Sequence, residues 1–213
     1  MIPAEIMMNP IRILSVDDHP LLREGIVAVI NGQPDMQVVA QASDGQEAIT
    51  YFCERKPDVT LMELRLPDMS GIDAMIAIRT ICPEARIVIF SIFDGDSQIQ
   101  RALAAGARSY IFKSMPPKEI TDTIRQIHAG KKCIPAEVAT RLAEHLSDQE
   151  LSEREMKVLQ HVAAGNRNRD IAKHLFISAE TVKSHMKHIM EKLGASDRTQ
   201  ALTIALRRGM IQL

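Results

Sequence analysis

Between residues 11 and 129, apolar residues fall into short, nearly unbroken runs, separated by stretches where they recur every three or four positions. The runs ILSV, VTLM and IVIF show no in-out alternation, the pattern of parallel strands covered on both faces. The spacing predicts strands at 11–16, 36–41, 58–62, 86–90 and 109–112, and helices at 20–31, 45–55, 71–81, 96–105 and 116–129. Five strand–helix units in about 120 residues imply an α/β doubly wound five-stranded parallel sheet with right-handed crossovers. Punctuation agrees. Pro20 fits the first position of a helix, Pro116–Pro117 fit a helix start after a strand, and Gly106 fits a helix stop before the last strand.

From residue 150 onward only helical spacing remains, over 152–164, 168–175, 178–193 and 197–208. Gly165, Gly194 and Gly209 lie just past three of these helices, and Ser178 and Asp197 are candidate N-caps. Residues 130–149 form a connector in which PAEVATRLAEHL predicts a short helix. The expected organisation is an N-terminal extension at 1–10, an α/β domain at 11–129, a linker at 130–149 and a small all-α domain at 150–213.

Charge sharpens this division. Residues 1–130 carry 12 basic against 17 acidic side chains, whereas residues 150–213 carry 11 against 7. An acidic first part and a basic second part point to two tasks, with a polyanion the expected partner of the second. There is no tryptophan and aromatics are few, which argues against stacking readers of single strands. Cys53, Cys82 and Cys133 have no metal-type spacing and read as reduced thiols. The opening MIPAEIMMNP has no secretory pattern and no run is long enough to span a bilayer, so a cytoplasmic location is expected.

Candidate chemistry gathers at strand ends. Asp17 and Asp18 follow the first strand, Glu63 the third, Ser91 the fourth and Lys113 the fifth. Open α/β sheets place their sites at that edge. Carboxylates there fit a hard divalent cation such as Mg2+, and a lysine opposite fits phosphoryl oxygens. Each residue alone has an ordinary role as a turn, cap or solvated charge. Their common edge makes them a phosphoryl-type pocket.

The segments SVDDHPLLREG, LMELRLPDMSGID, FSIF and GARSYIFKS resemble a response-regulator receiver domain across the whole of 11–129. The resemblance implies that Asp18 is a Mg2+ ligand, with Asp17 a ligand directly or through water, joined by the acceptor carboxylate and the backbone carbonyl of Arg65. It makes Lys113 the phosphate-pairing lysine, Ser91 the switch hydroxyl and Tyr110 the switch aromatic. Glu63 occupies the position of the aspartate that accepts phosphate from a partner histidine kinase. Its carboxylate reaches about 1.5 Å further. Either it partly imitates the phosphorylated group, with fewer charges and oxygens than a phosphoryl group, or it leaves the pocket inert.

In SAETVKSHMKHIMEKL, Val182, Met186, Ile189, Met190 and Leu193 form a buried stripe, with Lys183, Ser184 and Lys187 on the other side. Such a helix is either an ordinary amphipathic helix with solvated lysines or a major-groove reader. LSEREMKVL, the GNRNRDIA segment and TVKSHMKHIMEKLG resemble a LuxR-type helix-turn-helix domain along 151–201. The resemblance implies base contacts from Lys183, Ser184 and Lys187, and phosphate contacts from Thr181, His185 and Arg169. A receiver followed by such a domain is the arrangement of NarL/FixJ response regulators. The implied function is a homodimeric, double-stranded-DNA-binding transcription regulator, not an enzyme, with a histidine kinase partner and no membrane partner. The alternatives are a receiver-fold regulator that acts unphosphorylated through protein partners, and a phosphohydrolase, for which no second catalytic acid is evident.

Overall fold

The computed structural model describes residues 9–93, 95–144 and 150–211. The expected extension at 1–10 lies outside the described residues as far as residue 8, as does 145–149 of the expected linker. The chain divides into two compact units: the described residues of Met1–Phe93 and Arg101–Ala139, and those of Asp94–Gln100 and Thr140–Leu213.

The strands of the first unit are β1 (Ile11–Val16), β2 (Met36–Ala42), β3 (Val59–Met62), β4 (Ile87–Ser91) and β5 (Ser109–Phe112). They pair in parallel in the order β2-β1-β3-β4-β5. Between them run α1 (Pro20–Asn31), α2 (Gly45–Arg55), α3 (Gly71–Ile81), α4 (Asp96–Ala104) and α5 (Pro117–His128). The three central strands bury Ile13, Leu14, Leu61, Met62, Ile87 and Ile89 almost completely, because crossover helices cover both faces of a parallel sheet. The order reverses at β1, and the crevice above the carboxyl ends of β1 and β3 is where such a sheet holds a ligand.

Local chemistry sets the helix limits. Pro20 opens α1 and Pro117 opens α5. Asp44 caps α2 and Ser70 caps α3, each accepting a backbone N–H three residues on. Gly71 is required by packing: a Cβ there would run into the backbone carbonyl of Glu63. The α3 helix therefore starts directly against the end of β3. On the far side of the sheet, Arg125 of α5 binds Asp35, with Nε–Oδ2 at 2.8 Å and Nη2–Oδ1 at 2.9 Å. Hydrogen bonding from Arg125 holds the Asp35 carboxyl below its usual range.

Helices α6 (Ala136–Ala143), α7 (Glu153–Ala163), α8 (Asn168–Leu175), α9 (Ala179–Leu193) and α10 (Arg198–Arg207) complete the chain. α7 begins with a reciprocal capping box between Ser152 and Glu155. Ser178 caps α9 and Asp197 caps α10, as the sequence indicates. Gly165, Gly194 and Gly209 all take positive φ at helix ends. One apolar cluster joins α7 to α10 through Val158, Leu159, Ile171, Val182, Ile189 and Ala201. The end of α8 differs from expectation in kind: no glycine is present, and Phe176 itself takes the left-handed conformation, φ 55 and ψ 45.

Candidate functional site

The ends of β1, β3, β4 and β5 bring Asp17, Glu63, Ser91 and Lys113 into one buried cluster. Parallel register accounts for this. Met62 pairs with Ile89 and Val16 with Met62, so the residues that follow these strands emerge side by side. The Lys113 side chain is 6% exposed and lies 2.5 Å from both Asp17 Oδ2 and Glu63 Oε2. Burying a charge is costly unless it is paired and hydrogen-bonded, and this ammonium satisfies two carboxylates at once.

Glu63, 4% exposed, is fully engaged. Its Oε1 accepts the Ser91 hydroxyl at 2.5 Å and the backbone N–H groups of Leu64 and Arg65 at 2.5 and 3.2 Å. The second oxygen takes Lys113. A hydroxyl, a lysine and two backbone amides thus converge on one carboxylate, a donor set suited to a multiply charged oxyanion.

The rim is built from neighbours in sequence. Asp17 Oδ1 accepts the His19 N–H at 3.0 Å, and its backbone carbonyl accepts the Arg23 guanidinium. Asp18, with a side chain 35% exposed, lies 2.9 Å from His19 Nδ1. Among the described residues, ligand atoms of Asp17, Asp18 and His19 lie within 4.8 Å of one another. The Glu63 carboxylate binds Ser91 and Lys113, and Arg65 contributes its N–H to Glu63. Asp68 fixes the loop after β3, accepting N–H groups of Gly45, Gln46 and Met69. Burial pushes its carboxyl up, but these amides outweigh that and hold it below the usual range.

Tyr110 is completely buried, and its hydroxyl donates to the Phe93 carbonyl at 2.7 Å. The Phe93 ring in turn lies under the Arg65 guanidinium, 3.9 Å from the ring centroid. Sequence reasoning did not find Phe93 or this use of Arg65. Both belong to loops whose meeting is set by sheet order alone.

In the second unit, Lys183, Ser184 and Lys187 are exposed on α9, as is Thr181 at its first turn, while His185 is half-buried. Their partners are weak and local. Lys183 lies 3.3 Å from Glu180, and Lys187 lies 3.7 Å from Glu191. Arg169, near the start of α8, is exposed. The opposite face of α9 is the predicted apolar stripe, with Val182 and Ile189 fully buried.

Comparison with known proteins decides the family. Residues 13–125 match the response regulator receiver domain, and residues 149–205 match the bacterial regulatory proteins of the luxR family. The chain belongs to the response regulators. It is 39% identical over 216 residues to the transcriptional regulatory protein YxjL of Bacillus subtilis, covering 96% of this chain and 99% of that protein. It is 36% identical to the response regulator protein VraR of Staphylococcus aureus, over 95% of this chain and 99% of VraR. Among solved structures, the response regulator ChrA of a heme-sensing two-component system is 34% identical, with a TM-score of 0.59 over 95% of this chain and 100% of ChrA. This response regulator is thus a receiver with a LuxR-type DNA-binding domain, of a family of transcription regulators rather than enzymes. No described helix is long and apolar enough to cross a membrane.

Proposed function

We propose that this response regulator is a homodimeric, cytoplasmic transcription factor whose receiver (11–129) is biased toward its signalling arrangement by Glu63. A linker at 130–149 joins it to the DNA-binding domain at 150–213. The observation that carries the reading is the saturation of the Glu63 carboxylate by Ser91, Lys113 and the Leu64 and Arg65 amides. These groups are poised for a phosphoryl group, and the lengthened carboxylate takes them without one. The buried Tyr110 side chain accords with an engaged switch hydroxyl. A single carboxylate carries fewer charges and oxygens than a phosphoryl group, so the bias is partial. The population shift amounts to a few kcal/mol at most.

Asp17 and Asp18 fit a hard cation that keeps several waters, since both offer carboxylate oxygens and Asp18 is partly exposed. Bound there, Mg2+ would neutralise anionic oxygens. A cognate histidine kinase is the partner of an aspartate at this position, and Glu63→Asp tests whether the pocket serves one. In the DNA-binding domain, Lys183, Ser184 and Lys187 face base edges, while Thr181, His185 and Arg169 position the backbone.

The test compares Glu63, Glu63→Asp and Glu63→Ala in sedimentation and in binding to selected duplex fragments. The parent chain should dimerise and bind about tenfold or more tightly than Glu63→Ala, a shift on the order of 1.4 kcal/mol. Glu63→Asp should gain dependence on a small acyl phosphate with Mg2+. Equal binding by parent and Glu63→Ala would show Glu63 to be inert.

A further inference from the structure

Phe176 is costly to the fold. It is 94% exposed, so the folded unit gains nothing from its ring. It also holds φ 55 and ψ 45 at the end of α8, a region that bulky L-residues rarely enter and that glycine or asparagine enters readily. Folding alone would favour glycine or asparagine here, as at most other helix ends of this unit.

The turn that presents the ring is rigid. Its flanking residues Leu175 and Ile177 pack against the apolar cluster. The Leu175 carbonyl accepts the Arg154 guanidinium at 2.5 Å. The Ile177 N–H bonds to the Ala172 carbonyl at 3.0 Å, and the Phe176 N–H to that of Lys173 at 3.4 Å. The ring therefore projects from a fixed backbone, two residues before Ser178, the cap of α9. Around it in sequence stand Lys173, His174 and Lys183, all exposed, and the nearby acid Glu180 lies against Lys183. Exposed basic residues flanking a presented aromatic ring in sequence, next to the N-terminus of a groove-reading helix, match the surface of duplex DNA. There the apolar atoms are deoxyribose carbons and thymine methyls beside a line of phosphates.

We propose that Phe176 is a DNA-contacting residue, packing its ring on the apolar edge of the duplex where α9 enters the major groove. The inference rests on the assignment of α9 as the recognition helix. It predicts opposite effects on folding and on binding, which a merely structural residue does not produce.

Phe176→Asn and Phe176→Gly, made in the full chain, test it. Both should unfold at the same or a higher temperature than the parent, since the backbone strain is relieved. Both should bind a selected duplex on the order of tenfold more weakly, the scale of losing one buried ring contact. The dependence of log K on log salt should keep its slope, because no phosphate contact is lost. Phe176→Leu, which keeps apolar bulk, should recover part of the affinity. Affinity within twofold of the parent in both small variants overturns the proposal. So does a loss confined to self-association of the DNA-free protein, which would assign the ring to a second copy of the chain. A parent chain that ignores duplex DNA would instead remove the underlying assignment of α9.

Discussion

The strand-end pocket and helix α9 are built on opposite plans. In the pocket, each central ionic side chain finds its partner inside the fold: Lys113 takes Asp17 and Glu63, and Glu63 takes Ser91 and two backbone amides as well. On α9, Lys183 and Lys187 face solvent, each paired with a glutamate of the same helix. The difference follows from solvation. A buried ion must be matched within the structure, whereas an exposed one costs little and stays available to an external phosphate or base. That contrast is what the proposed roles require: a switch pre-organised by its own side chains, and a reader whose charges remain accessible to a polymer.

The largest expected effect comes from removing the pocket's cation. Lys113→Ala leaves Asp17 and Glu63 buried together without a countercharge, and should destabilise the first unit by roughly 3–5 kcal/mol. Lys183→Ala, exposed, should change stability by less than about 0.5 kcal/mol. Hydrogen exchange of the β3, β4 and β5 amides in urea reads the first, and that of α9 reads the second. A cost below about 1 kcal/mol for Lys113→Ala would mean that the cluster tolerates an unpaired acid pair, and the contrast would fail.

Next in size are losses that appear only with DNA. Lys183→Ala should cost about 1–3 kcal/mol on a selected sequence and flatten sequence preference. Arg169→Ala should weaken all sequences alike and lower the salt slope by about 1. The measurement is a titration of selected and scrambled duplexes at several salt concentrations. Indistinguishable effects of the two substitutions would erase the division between base-reading and backbone-positioning residues.

Much of this was legible in the sequence, for identifiable reasons. Short apolar runs, nearly continuous in ILSV, VTLM and IVIF, located the five strands, and the shared C-terminal edge of a parallel sheet placed Asp17, Glu63, Ser91 and Lys113 together. The stripe of Val182, Met186, Ile189 and Leu193 located the buried face of α9 because helical periodicity is strong over 15 residues. What escaped depends on meetings between loops. Arg65 over Phe93, and the Phe93 carbonyl under Tyr110, join segments with no shared periodicity. Phe176 escaped because a left-handed helix end without glycine or asparagine leaves no compositional mark. Sequence reasoning also passed over the box of Ser152 and Glu155, although it is an S-x-x-E pattern; its third member, Lys192, lies 37 residues from Glu155.

That box supplies the smallest effect and qualifies the contrast, since the DNA-binding unit also contains a buried charge. Glu155 is 5% exposed and accepts Lys192 Nζ at 2.8 Å, the Ser152 N–H at 2.7 Å and the Ser152 hydroxyl at 2.9 Å. Burial pushes its carboxyl up, but Lys192 and Ser152 outweigh burial and hold it below the usual value. A carboxyl more acidic when folded stabilises the fold above its unfolded value of 4.5, and loses that contribution as pH falls through its lowered folded value. Glu155→Gln keeps an acceptor for Ser152 but drops the charge. It should therefore cost about 1 kcal/mol at neutral pH, with the gap to the parent closing in acid as the parent's own carboxyl takes up a proton. Denaturant unfolding of the helical signal at neutral and acid pH measures that gap. A gap of equal size at both would make Glu155 a packing residue whose charge is incidental, and the internal pairing of ions would then be particular to the strand-end pocket.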